Sequence, residues 1–82
     1  MLDQARTFLL SKSPRQALSV IERYRVTWPT GRMHLEATVL QIEALVQAGQ
    51  RTQATSLARD FLASNPRTPF ARRVRALVGL EP

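Results

Sequence analysis

The chain has no cysteine among its 82 residues. That excludes disulfides, thiolate metal sites and a cysteine nucleophile, and it leaves the redox compartment open. Histidine occurs once, as His34, so no helical His-x-x-x-His pair exists. No apolar run approaches the ~20 residues that a membrane-spanning helix needs. The start, MLDQARTFLL, places no charged segment ahead of an apolar one, as a secretory leader would. With Met1 falling directly before a helical pattern, it reads instead as a domain cut from a longer protein. No window alternates with period two, so strands are not expected. Acidic residues are few: six face twelve cations, eleven of them arginine, for a net charge of +6 and a pI near 11.6. Such a balance suits nucleic acid, anionic lipid or an acidic protein surface and selects none of them.

Catalytic groups are sparse as well. The five serines and six carboxylates are scattered over different predicted helices, and no nucleophile elbow or phosphate-binding glycine loop appears. His34 and Glu36 are two residues apart, which sends them to different sides of a helix, and His34 reads as a surface histidine. Glu36 and Glu43 share a face, but two turns hold them roughly 10 Å apart, too wide for one metal ion. An enzymatic role, a cofactor and a metal site are therefore not expected.

What is present is helical. Apolar residues make up 44 % of the chain, too many for a disordered segment. The stretch from Met33 to Ala48 is apolar on more than one side: Met33, Ala37, Leu40 and Ala44 follow one face, while Leu35, Val39, Ile42 and Val46 fall on others. A helix of that kind is packed on more than one side, so it is expected at the centre. Before it, Leu2, Ala5, Phe8 and Leu9 predict a first helix over about 2–11. Ser13-Pro14 opens a second, with Ser13 as its cap and an apolar face of Ala17, Leu18, Ile21 and Tyr24. Trp28-Pro29-Thr30-Gly31 ends it, with Trp28 a partly buried staple. After it, Gly49 supplies a left-handed stop. A fourth helix begins at Arg51 or Thr52 and buries Ala54, Leu57, Ala58, Phe61 and Leu62. Thr68-Pro69 opens a short fifth, marked by Phe70, Val74 and Leu77 and closed by Gly79.

Shifting the chain by 37 residues superposes Ala5 on Ile42, Phe8 on Leu45, Ala17 on Ala54, Tyr24 on Phe61, Pro29 on Pro66, Met33 on Phe70, Ala37 on Val74 and Leu40 on Leu77. Periods of this size mark helical arrays, in which one hairpin needs a neighbour to bury its apolar face. The spacing of Gly49, Ala54 and Pro66 resembles that of the tetratricopeptide repeat family, and Ala17 and Pro29 repeat it with Lys12 in the glycine's place. The early Trp-Leu-Gly-Tyr signals of that family are absent, and the period exceeds its usual length of about 34. The resemblance implies an all-α, right-handed array: two antiparallel helical hairpins, about 2–29 and 33–66, and a closing helix, about 69–78, in one domain spanning 1–82. The loops Pro29-Thr30-Gly31 and Pro66-Arg67-Thr68-Pro69 look like those of tetratricopeptide-like modules in bacterial envelope proteins. Envelope or periplasm is therefore favoured over cytoplasm.

The function this implies is a non-enzymatic protein–protein interaction module that binds a peptide or partner helix. In the family, the first helix of each hairpin lines a concave groove. Those positions here are Leu2, Arg6, Leu9 and Leu10, then Glu36, Val39, Glu43, Val46 and Gln47, then Arg73 and Ala76. Members that clamp a peptide's terminal carboxylate use Lys and Asn where Leu2, Arg6, Val39 and Glu43 stand here, so no such clamp is expected. The cluster Arg67, Arg72, Arg73 and Arg75 reads first as a solvated face, then as a patch for an acidic partner, and last as a nucleic-acid contact. Leu2, Phe8, Leu9 and Leu10 cannot all face the second helix, which points to a homodimer or to packing on the rest of a longer parent protein. The alternative function is a basic helix-turn-helix-like domain, turning at Ala48-Gly49-Gln50 and presenting Arg51, Thr52, Gln53, Thr55, Ser56 and Arg59 to DNA. Against it, the turn recurs after 37 residues, which one recognition helix does not explain.

Overall fold

The first helix, α1 (Leu2–Leu10), ends where Lys12 takes a left-handed φ of 58°. The Lys12 N–H then donates to the Leu9 carbonyl and the Ser13 N–H to the Phe8 carbonyl, which satisfies two carbonyls that a helix end otherwise leaves open. The computed structural model describes residues 1–31 and 33–80, and these residues form α1, α2 (Pro14–Thr27), α3 (His34–Gln47), α4 (Arg51–Ser64) and α5 (Ala71–Val78), with no strand among them. The chain is all-helical, and the predicted bounds of the first four helices hold to within a residue or so.

Thirty-seven residues after Lys12, Gly49 repeats the stop with a φ of 79°. Its N–H donates to the Val46 carbonyl and the Gln50 N–H to the Leu45 carbonyl. The recurrence continues along the loops. The bond from the Gly31 N–H to the Trp28 carbonyl is matched by Thr68 to Asn65, and His34 to Gly31 by Ala71 to Thr68. A glycine tolerates the left-handed region freely, whereas a lysine is strained there by about 1–2 kcal/mol. We expect Lys12→Gly to raise stability by about 0.5–1 kcal/mol after the extra freedom of the unfolded chain is deducted, read as an upward shift in thermal midpoint. Gly49→Ala is expected to move it down.

Two caps differ from expectation. Ser13 stands at the N-cap of α2, but its hydroxyl makes no cap bond; Pro14 at the first position does the setting of φ. The fifth helix begins at Ala71 rather than near Pro69, because the Thr68 hydroxyl accepts the Phe70 N–H and the Thr68 carbonyl accepts the Ala71 N–H. Those bonds hold Pro69-Phe70 in a turn.

The core has two parts, one on each side of α3. Ala37, Leu40 and Ala44 pack with Leu2, Ala5 and Leu9 of α1 and with Ala17, Val20, Ile21 and Tyr24 of α2. Val39, Ile42 and Leu45 pack with Ala54, Ala58 and Phe61 of α4 and with Val74 and Val78 of α5. Leu18 touches both parts. Thus α3 packs against all four other helices, as its two-sided apolar pattern predicts. Alanines at 0 % exposure line the helix contacts (Ala5, Ala17, Ala37, Ala44, Ala54, Ala58), and side chains that small let the helix axes approach closely.

Candidate partner-binding face

The sites predicted on α1, α3 and α5 are partly joined and partly buried. Arg6 of α1 pairs with Glu36 of α3 through Nη2 and with Asp3 of its own helix through Nη1 at 2.7 Å. Glu43 of α3 pairs with Arg73 of α5 at 2.6 Å. Two arginines thus reach inward from the flanking helices to two carboxylates on the central one. The side chains of Glu36 and Glu43 are 23 % and 21 % exposed, so the pairs are half-desolvated bridges and each contributes roughly 0.2–1 kcal/mol. Beside them, Gln47 donates from Nε2 to the Leu9 carbonyl at 3.0 Å, and its Oε1 is buried without a partner. Val46 is half-buried against the second core, and Leu10 projects at 84 % exposure.

Three predicted groove residues are not on this face. Leu2, Leu9 and Val39 are 4 %, 3 % and 2 % exposed: α2 and α3 close over the first two, and α4 and α5 over the third. The accessible face is therefore more polar than expected, built from Arg6, Glu36, Glu43, Gln47, Arg73, the edge of Val46 and Leu10. Its charges are matched within the face. Of the four apolar residues that pointed to self-association through α1, Leu2 and Leu9 are enclosed by the fold, Phe8 is half-buried and Leu10 is exposed. Where α3 has Leu40 and Ala44, α1 has Asp3 and Thr7, and these line a cleft of about 480 Å³ with Phe8 and Gln16.

A polar cluster that the sequence reading missed joins α2 to α3. Arg25 donates from Nη2 to Thr38 Oγ1 at 2.8 Å and to Gln41 Oε1 at 3.0 Å, and its Nη1 lies 3.2 Å from His34 Nδ1. The Thr38 hydroxyl and the Gln41 amide carry no charge, and burial pushes the guanidinium below its ordinary pKa, an effect partly offset by Tyr24. The 37-residue register contained the signal: the equivalent of Arg25 is Leu62, and those of His34, Thr38 and Gln41 are Ala71, Arg75 and Val78. One junction is polar where the other is apolar. We expect Arg25→Leu to cost about 1 kcal/mol, because Gln41 loses a donor, and Gln41→Val added to it to recover most of that loss in chemical denaturation.

Elsewhere the surface departs from expectation at one turn. Trp28 and Met33 are exposed at 59 % and 42 %, so Trp28 is no staple and Met33 stands outside the core. His34 is exposed, as expected. Arg67, Arg72, Arg73 and Arg75 are all exposed, and only Arg73 has an ion-pair partner among the described residues. No group of three His, Asp or Glu side chains that could hold a metal ion occurs among the described residues, and none of the described helices is long and apolar enough to cross a membrane. The chain matches no protein-family model, no curated protein and no solved structure.

Proposed function

We propose that the chain is a non-enzymatic protein-interaction module of tetratricopeptide-like build, and that the face shared by α1, α3 and α5 receives an extended peptide or a partner helix. The observation that carries this reading is the pair of bridges Arg6–Glu36 and Glu43–Arg73. They bring polar side chains from three helices that are not consecutive in the chain onto one surface. The order of packing supports the same build: α1 lies against α2 and α3, α2 against α3, and then α3 against α4 and α5, α4 against α5. Each relation recurs one unit later, as in a right-handed array of two antiparallel hairpins and a closing helix. An envelope location follows only from the loop resemblance and is read by fractionating cells that express the protein.

The test is selection of binders from a displayed peptide library, followed by titration of the best one against variants. Glu43→Arg, which repels Arg73 and leaves the core untouched, is expected to weaken such a peptide by about tenfold. Unchanged binding would move the site off this face. The nucleic-acid reading rests on one observation, that Arg51, Thr52, Thr55, Ser56 and Arg59 share a shallow cleft along the outside of α4, although the carboxylate of Asp60 lines it too. Titration with duplex DNA across salt concentrations separates the two, since phosphate binding falls steeply with salt.

A further inference from the structure

Two adjoining clefts run along the junction of α3 and α4. His34 and Thr38 of α3 line the first with Leu57, Asp60 and Ser64 of α4, and Gln41 and Leu45 line the second with Gln53, Leu57 and Asp60. Along α3 the residues 34, 38, 41 and 45 are spaced four, three and four apart, and along α4 the residues 53, 57, 60 and 64 repeat that spacing. Each set is therefore one row on its helix. The clefts share Leu57 and Asp60 and form one furrow, about 16 Å long at ~1.5 Å of helix rise per residue. Arg25 of α2 bonds to Thr38 and Gln41 in the α3 row. No backbone contact joins α2 to α4 among the described residues, so α2 borders the furrow without closing it.

The base of the furrow is apolar and its rim polar. Leu45 and Phe61 are buried and Leu35 and Leu57 half-buried, while Gln53, Ser56 and Ser64 are exposed. Asp60 stands where the clefts meet. It is exposed and is the only carboxylate on the lining, and among the described residues no lysine or arginine lines either cleft. Arg51 and Arg59 share a cleft with Asp60 on the outside of α4, yet none of the ion pairs among the described residues includes Asp60. The first hairpin supplies a comparison. Gln4, Gln16 and Ser19 line its cleft at the places of Gln41, Gln53 and Ser56, but Arg23 stands in the place of Asp60. The carboxylate of that cleft, Asp3, is already paired with Arg6. One scaffold thus occurs twice, with an unpaired anion in the second alone.

We infer that the furrow between α2 and α4 binds an extended segment of a partner protein that carries one lysine or arginine between apolar residues. Its length holds about five residues at ~3.3 Å each. The apolar base takes alternate side chains, the amides and hydroxyls of the rim take backbone N–H and C=O groups, and Asp60 takes the cation in a charge-assisted bond. A nucleic acid is disfavoured here, since its phosphates would meet a carboxylate and no lining cation. This row of α3 is separate from the row of Glu36 and Glu43, so binding in the furrow does not depend on the face shared by α1, α3 and α5.

The probe is a blocked peptide of about seven residues with one central lysine among leucines and threonines, titrated at about 0.15 M salt, where charges more than ~8 Å apart are largely screened. Its twin carries an acetyl group on that lysine. The lysine peptide is expected to bind, to move amide resonances over 34–45 and 53–64, and to bind about tenfold more tightly than the twin. Asp60→Asn is expected to abolish that difference, weakening the lysine peptide about tenfold and leaving the twin unchanged. Circular dichroism confirms the fold of the variant, and Glu43→Arg, which tests the other face, leaves affinity for the lysine peptide nearly unchanged. No binding of the lysine peptide, equal binding of the two peptides, an unaltered preference in Asp60→Asn, an equal loss in Glu43→Arg, or resonance shifts over α1 and α2 instead would each overturn the inference.

Discussion

Ile42→Ala is expected to lower the free energy of unfolding by about 2–5 kcal/mol, a large share of the roughly 5–15 kcal/mol that holds an ordinary domain together. Ile42 is 0 % exposed and is among the largest side chains fully enclosed by the fold. It sits where α3 meets α4 and α5, so its loss opens a cavity that none of the three helices fills alone. The helix backbones are held apart by their other contacts, and collapse into the space is incomplete. The measurement is the midpoint of urea denaturation, with the slope unchanged if only stability is altered. Val46→Ala, one turn further on and half-buried, serves as the comparison and is expected to cost clearly less. Equal effects from the two would mean that α3 is not enclosed on this side.

Gly31→Ala is expected to cost about 1–3 kcal/mol, the range for forcing extra volume into a packed site. The φ of Gly31 is not in the left-handed region, and the constraint is proximity: a Cβ there would lie 2.5 Å from the Tyr24 hydroxyl oxygen and 3.1 Å from Trp28 Cβ. Tyr24 is 8 % exposed, and its hydroxyl accepts the Met33 N–H at 3.3 Å, so it cannot swing aside without opening the approach to α3. The cause can be isolated with a second substitution. In a Tyr24→Phe background the clashing atom is gone, and Gly31→Ala is expected to lose about half its effect; Phe61, the equivalent of Tyr24, shows that a bare ring fits the place. Strict additivity in this double-mutant cycle would refute the steric account.

The division of α3 between two cores was legible in the sequence almost residue by residue. Ala37, Leu40 and Ala44 went to one side and Leu35, Val39, Ile42 and Val46 to others, because a helical period leaves no other way to enclose all of them. Met33 failed the same pattern: it lies before the first turn, and the loop from Trp28 to Gly31 carries it outward. The site was less legible for a reason of the same kind. Periodicity tells which direction a residue points, and it does not tell how close the next helix comes. Val39 lies between Glu36 and Glu43 along α3, yet α5 closes over it, whereas the longer carboxylates on either side reach the rim and meet arginines. Arg25 escaped notice because charged residues on a helix are usually solvated, and only its comparison with Leu62 marks the position as a junction.

The placement of the two cores also governs the order in which the molecule opens. Among the described residues only α3 and Leu18 connect them, and α5 is eight residues long with one buried side. Amide hydrogen exchange in α5 should therefore be the fastest among the helices, through excursions that leave the first core intact. The amides in the middle of α3 should exchange last, at the rate of global unfolding, since either core alone suffices to keep them closed.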